Sequence, residues 1–183
     1  LALALLLGGG PMLLGGIGPM LYAQAIPTAS RVGDLQLGVG YSSAKPDYSQ
    51  QTFTGLAAYA DFDFLPYLGV EAEFHKVDTP ASDQSYQMTG EVGARAFHAF
   101  GRVVPYAKGM IGRGNFNYPY SLTDLNYTLY AGGAGADFKV AERLRLRAEY
   151  EVQSWSSFPN GGLTPKLLTF GIAYHFANKP SYK

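Results

Sequence analysis

From residue 31 onward apolar and polar side chains alternate with a period of two, the spacing of strands whose two faces meet different surroundings. Eight such segments can be delimited. In 31–42, Leu35, Leu37, Val39 and Tyr41 share one face, while Asp34, Gln36, Gly38 and Gly40 share the other. In 53–64, Leu56, Ala58, Ala60, Phe62 and Phe64 oppose Tyr59, Asp61 and Asp63. Segment 67–77 sets Leu68, Val70, Ala72 and Phe74 against Glu71, Glu73 and His75. Segment 85–97 sets Tyr86, Met88, Val92, Ala94 and Ala96 against Gln87, Thr89, Glu91 and Arg95. The fifth, 104–115, is rich in glycine. Its Lys108 and Arg113 fall on opposite faces, so one lies beyond the apolar belt or a bulge intervenes. In 127–139, Tyr130, Ala134, Ala136 and Phe138 oppose Gly133, Gly135 and Asp137. The seventh, 143–153, is the clearest: Arg143, Arg145, Arg147, Glu149, Glu151 and Gln153 line one face, and Leu144, Leu146, Ala148, Tyr150 and Val152 the other. In 167–176, Leu168, Phe170, Ile172, Tyr174 and Phe176 oppose Thr169, Gly171, Ala173 and His175.

The connections alternate too. Those at 65–66, 98–103 and 140–142 are short, whereas 43–52, 78–84, 116–126 and 154–166 are mostly longer and polar. Short turns at one end and long loops at the other, joining strands of about 9–11 residues or a little more, is the build of a membrane-spanning β-barrel. Alternation alone leaves open which face is inside. A soluble lipocalin-like barrel would turn the same pattern inward and use the apolar face as a ligand cavity. The aromatic residues Tyr41, Phe62, Phe64, Phe74, Phe138 and Phe176 sit toward the ends of the apolar rows, where the girdles of a membrane barrel belong.

Composition narrows the class. Apolar types make up 47% of the 183 residues and charged types only 15%. Fourteen basic and fourteen acidic side chains cancel, so there is no basic field for nucleic acid. The absence of cysteine excludes a disulfide scaffold, a thiolate metal site and a cysteine nucleophile. Residues 1–25 carry no charge and end on Ala23-Gln24-Ala25, an A-x-A cleavage pattern after an apolar run. This predicts a secretory signal peptide over 1–25 and a barrel domain over 26–183. Six glycines and two prolines make the same stretch a poor membrane helix.

The last segment reads Thr169-Phe170-Gly171-Ile172-Ala173-Tyr174-His175-Phe176. It is similar to the terminal signal of outer-membrane barrels, with Gly171, Tyr174 and Phe176 at its defining positions; the departure is the tail 177–183 that follows. Together with Gly38-Val39-Gly40-Tyr41, Pro105-Tyr106 and Arg147-Ala148-Glu149-Tyr150, it makes the chain resemble the outer-membrane beta-barrel domain family, the small OmpA/OmpX-type barrels, over nearly all of 26–176. The resemblance implies an eight-stranded antiparallel up-and-down transmembrane β-barrel in the bacterial outer membrane. It also implies outer-membrane lipid around the barrel and recognition of the last strand by the barrel-assembly machinery. It is specific for architecture and silent about activity.

With the apolar face outward, the lumen receives the acids Asp34, Asp61, Asp63, Glu71, Glu73, Glu91, Asp137, Glu149 and Glu151 and the bases Arg95, Arg143, Arg145 and Arg147. Buried charges must be paired or hydrated. The expectation is a lumen plugged by a charge network of Asp61, Asp63, Glu71, Glu73, Glu91, Arg95, Arg145, Arg147, Glu149 and Glu151. The alternative is a narrow cation-preferring pore, since acids outnumber bases. Catalysis is not expected: His98 and His175 fall at solvated or interfacial places, and His75 with Glu73 lacks a serine in register. No metal or cofactor site is expected either. Tyr118, Tyr120, Trp155, Phe158 and Leu163 are assigned to exposed loop tips, as a ligand surface for adhesion or partner contact or, equally, as loop packing with no partner; the sequence does not separate the two.

Overall fold

The computed structural model describes residues 33–47, 51–79, 86–117, 125–156 and 162–176. They form eight strands: β1 (Asp34–Lys45), β2 (Phe53–Leu65), β3 (Leu68–Asp78), β4 (Tyr86–Phe97), β5 (Val103–Asn117), β6 (Leu125–Lys139), β7 (Leu144–Trp155) and β8 (Lys166–Phe176). Each strand pairs antiparallel with its neighbour in sequence, and β1 pairs with β8, from Leu35 opposite Phe176 to Lys45 opposite Lys166. The sheet is therefore a closed barrel and leaves no edge to pair with another chain. Among the described residues the one shift of register lies between Asp63 and Leu65, where β2 turns into β3 through Pro66 and Tyr67.

The strand ends depart from the alternation in one direction. β1 runs to Lys45 rather than ending at residue 42, because Ser42 and Ala44 stay on the inward face and remain paired with Thr169 and Leu167 of β8. The β5–β6 hairpin is likewise longer than its apolar pattern, each strand having 15 residues. Strands of 11 to 15 residues, rising about 3.3 Å per residue and tilted about 40°, reach roughly 30 Å or more along the barrel axis.

The barrel is inside out relative to a water-soluble one. Apolar side chains on the outer face are exposed, among them Leu56 at 69% and Val39 at 61%, while Asp61, Glu71, Arg95 and Asp137 are fully buried within. The soluble lipocalin-like alternative required the opposite, and the direction of the side chains overturns it. Around the outer face Phe62, Phe64, Tyr67, Phe138, Tyr174 and Phe176 lie near the short-turn end, and Tyr41, Phe74, Tyr130, Tyr150 and Phe170 farther up the wall, all exposed. Aliphatic side chains such as Val39, Val92 and Ile172 fill the belt between them.

Two glycines on the inner face make room for rings. A Cβ on Gly38 would collide with the ring of Tyr59, its partner across β1 and β2, and a Cβ on Gly114 would collide with Trp155. Small residues facing large ones are how a narrow barrel fills its bore with side chains.

Candidate functional site: the lumen

All ten residues of the expected charge network face the interior: Asp61, Asp63, Glu71, Glu73, Glu91, Arg95, Arg145, Arg147, Glu149 and Glu151. Cross-strand register stacks them in levels. Asp61 is opposite Glu71, Glu73 opposite Glu91, and Asp137 opposite Arg147.

The level nearer the short turns is built on two arginines. Arg147 Nε donates to Asp137 Oδ1 at 2.9 Å and its Nη2 to Asp61 Oδ2 at 2.5 Å, with Glu71 Oε2 3.4 Å from Nη1. Arg95 donates to Asp137 Oδ2, and its guanidinium lies 3.4 Å from Glu71 and 3.5 Å from Asp63. The planar guanidinium of Arg147 lies over Tyr59, 3.8 Å from the ring centroid, and that of Arg95 over Tyr106 at 4.2 Å. Gln36 completes the level by donating to Asp61 at 2.8 Å. Arg145 faces inward one step closer to the short turns, and Asp34 lies 3.8 Å from His175 at that end.

The next level is built on Lys108. Its ammonium reaches four carboxylates: Glu71 at 3.1 Å, Glu149 at 2.7 Å, Glu151 at 2.9 Å, and Glu73. Tyr106 donates to the other oxygen of Glu149. Glu91 joins through Gln153, whose Nε2 donates to Glu91 at 2.6 Å and to Glu151 at 2.9 Å. Gln153 in turn accepts from Trp155 Nε1 at 3.0 Å, which marks where the polar interior ends. Toward the long connections, Phe53, Val77, Met110, Phe116, Leu129, Trp155, Leu163 and Leu167 form one buried apolar cluster.

Several expectations need correction. Arg143 is not in the lumen: β7 begins at Leu144, and Arg143 lies exposed in the turn, donating to Tyr174 Oη at 2.7 Å. Trp155 and Leu163 are not exposed loop anchors; each is 1% exposed and they pair across the base of the last long connection. Tyr118, Tyr120, Phe158, the predicted leader 1–25 and the tail 177–183 lie outside the described residues. His175 faces the interior rather than the interface, whereas His98 is exposed in its turn. His75 does have a serine beside it. Ser42, from β1, places Oγ 3.0 Å from His75 Nδ1, and Glu73 lies 3.2 Å from Nε2, all three deeply buried.

Lys108 was the cation left out of the expected network, as were the uncharged inward side chains Tyr59, Tyr106 and Gln153 that bond or stack on its members. The inward direction of Lys108 follows from alternation with Val104, Tyr106 and Met110, and Arg113 is then outside with β5 continuous. The terminal-signal residues divide: Gly171 faces in, close to Tyr59, and Tyr174 and Phe176 face out with their rings 4.7 Å apart.

Comparison with known proteins agrees with this architecture. The family model described as "Outer membrane protein beta-barrel domain" matches residues 13–176. Among solved structures, Neisserial surface protein A superposes with a TM-score of 0.62 at 12% identity, covering 78% of this chain and 96% of that one. The attachment invasion locus protein Ail of Yersinia pestis gives 0.57 at 17% identity, covering 79% and 99%. The outer membrane enzyme PagL gives 0.53 at 15%, covering 75% and 97%. At these identities the likeness is one of fold. No curated protein sequence matches the chain.

Proposed function

Since the chain belongs to the outer membrane protein beta-barrel domain family, and so resides in the bacterial outer membrane with lipid against its apolar wall, we propose that it is a non-conducting barrel with a structural and surface-interaction role. The observation that carries this is the filling of the bore. Two levels of ion pairs centred on Arg147, Arg95 and Lys108 lie beneath an apolar cluster that includes Trp155 and Leu129. An ion crossing the lumen would have to break charge-assisted hydrogen bonds and then pass through hydrocarbon.

The test is conductance of the purified barrel in planar bilayers. No stepwise current is expected in moderate salt. Reproducible unitary steps would overturn the proposal, and cation selectivity would support the narrow pore instead. That second reading draws on the excess of lumenal carboxylates over Arg95, Lys108, Arg145 and Arg147.

Contact with partners then falls to the long connections, at 46–52, 79–85, 118–124 and 156–165, held on a rigid wall. In this role residues 1–25 serve as the export leader, 26–183 as the barrel domain, and Gly171, Tyr174 and Phe176 as the mark read by the assembly machinery. No enzymatic activity is proposed. Ser42, His75 and Glu73 resemble a nucleophile, base and orienter, but Ser42 is 0% and His75 1% exposed. Ser42 also hydrogen-bonds to Thr169 at 2.7 Å, beneath the apolar cluster.

A further inference from the structure

Above the arginine level the lumen is short of positive charge. Glu71 and Glu149 share Arg147 as well as Lys108, but among the described residues Glu73, Glu91 and Glu151 have only Lys108, His75 and the Gln153 amide. Glu73 and Glu91 are direct cross-strand partners, both facing inward, an arrangement of like charges that destabilises a sheet unless something lies between them. We propose that Glu73, His75 and Glu151 bind a divalent transition-metal ion of the zinc class, with Glu91 as an additional oxygen donor.

Geometry and valence support the assignment. One ligand atom from each of Glu73, His75 and Glu151 falls within 4.8 Å of the others, a spread that small rotations contract onto one ion. Lys108 contacts Glu73 through Oε2, while His75 faces its Oε1. At Glu73 the ammonium and an ion can therefore be held at the same time; at Glu151, where Lys108 lies 2.9 Å from Oε2 and Gln153 donates to Oε1, the ion would use the second lone pair of an engaged oxygen. Independently of this cluster, Glu91 Oε2 is buried without a hydrogen-bond partner, in a residue 5% exposed. Its other oxygen shares the Gln153 amide with Glu151, which holds the carboxylate beside the site. The hydroxyl of Thr89, opposite His75 in register, is also buried without a partner.

The support behind the imidazole suits a metal ligand. Ser42 Oγ lies against Nδ1 and is itself 2.7 Å from Thr169 Oγ1. With the proton on Nδ1, the ring donates to Ser42, Ser42 donates to Thr169, and the Nε2 lone pair is free for the ion. A hydrogen-bonded distal nitrogen of this kind orients most metal-bound histidines. One imidazole among carboxylates selects zinc-class ions over calcium or magnesium, which take oxygen ligands alone.

The experiment uses the untagged full chain, unfolded in urea with chelator and refolded into detergent with zinc chloride, then desalted. Zinc per chain is read by elemental mass spectrometry, and an unboiled gel verifies that each sample is folded. About one zinc per barrel is expected, since only one of the two lumenal groups holds a histidine and the other, Glu71, Glu73 and Glu149, shares Glu73 with it and is bound by Lys108. His75→Ala and Glu151→Gln should each abolish retention, while His98→Ala, which alters an exposed histidine, should not. Ser42→Ala should weaken affinity about 10–100-fold, as loss of a supporting hydrogen bond does. If a ligand variant fails to refold, the wild-type barrel loaded with cobalt(II) should show d–d absorption that zinc chloride erases. Failure of the folded wild type to retain zinc, equal retention by the ligand variants, or retention of calcium in its place would overturn the proposal. The result is independent of conductance, because a barrel that conducts could still bind the ion and one that does not could lack it.

Discussion

Arg147 draws contacts from β2, β3, β5 and β6 although it sits on β7. It pairs with Asp61, Glu71 and Asp137 and lies across the faces of Tyr59 and Tyr106. A guanidinium is the side chain best fitted to this place, since its planar fork meets several carboxylates and stacks on rings at once. The energetic consequence is asymmetric. The intact network offsets a large desolvation cost, but removing one partner leaves buried carboxylates uncompensated. Arg147→Ala should therefore destabilise the barrel by about 3–5 kcal/mol, measured by urea unfolding in detergent. Adding Asp61→Asn and Asp137→Asn to that variant should recover part of the loss, because the uncompensated charge goes with them. If the triple variant were no more stable than the single one, the ion pairs would not be the source of the effect.

At the scale of the strand, one alternation decides both the lumen and the lipid face, and depth along the strand sets the energy. Val39 lies midway along β1, flanked by Ala58 and Ile172, while Leu146 is the third residue of β7, close to the short turn. Arginine at Val39 should cost about 2–4 kcal/mol and at Leu146 about 0–1, because charge at the bilayer midplane is expensive and charge near the interface is not. Refolding into liposomes followed by denaturant titration measures both; equal costs would mean that the wall does not face hydrocarbon. The same alternation made the eight strands and their faces legible in the sequence, most plainly in β7, where charged and apolar residues take turns from Leu144 to Val152. It was weakest where one class of side chain was missing. In β5, Gly109 interrupts the outward row and Gly112 and Gly114 the inward one, so Lys108 could not be assigned to a face with Arg113 competing. Near the long connections the inner face turns apolar, with Val77, Trp155 and Leu167, and there polarity no longer distinguishes in from out. That is why Trp155 and Leu163 read as loop anchors. The approach of Ser42 to His75 was hidden for another reason: β1 and β3 are not neighbours in the sheet, and only the curvature of a closed barrel brings their inward side chains together.

For the molecule as a whole, closure is the step that creates the interior. Until β1 meets β8, Ser42 lacks Thr169 and Tyr59 lacks Gly171, and the arginine level is open to water on one side. The strand that performs this closure is also the one whose outward residues, Tyr174 and Phe176, belong to the proposed assembly signal. These two roles separate experimentally because they use different faces. Tyr174 and Phe176 point away from the lumen, where Tyr174 accepts a hydrogen bond from Arg143 and packs on its neighbouring ring. A double substitution Tyr174→Ala with Phe176→Ala removes two interfacial aromatics but none of the lumenal pairs. In cells it should lower the amount of heat-modifiable barrel in the outer membrane several-fold. The same variant, refolded from urea into detergent, should still close and should lose only the stability of two partly exposed rings. A control at Phe138, an exposed aromatic on β6 at the same end, should leave assembly in cells near the wild-type level when changed to Ala. If the Phe138 variant fell as far as the terminal-strand variant, general anchoring by aromatics would explain the loss. If the terminal-strand variant failed equally in detergent, its residues would be needed for the closed fold itself, and recognition by assembly machinery would not be required to account for their presence.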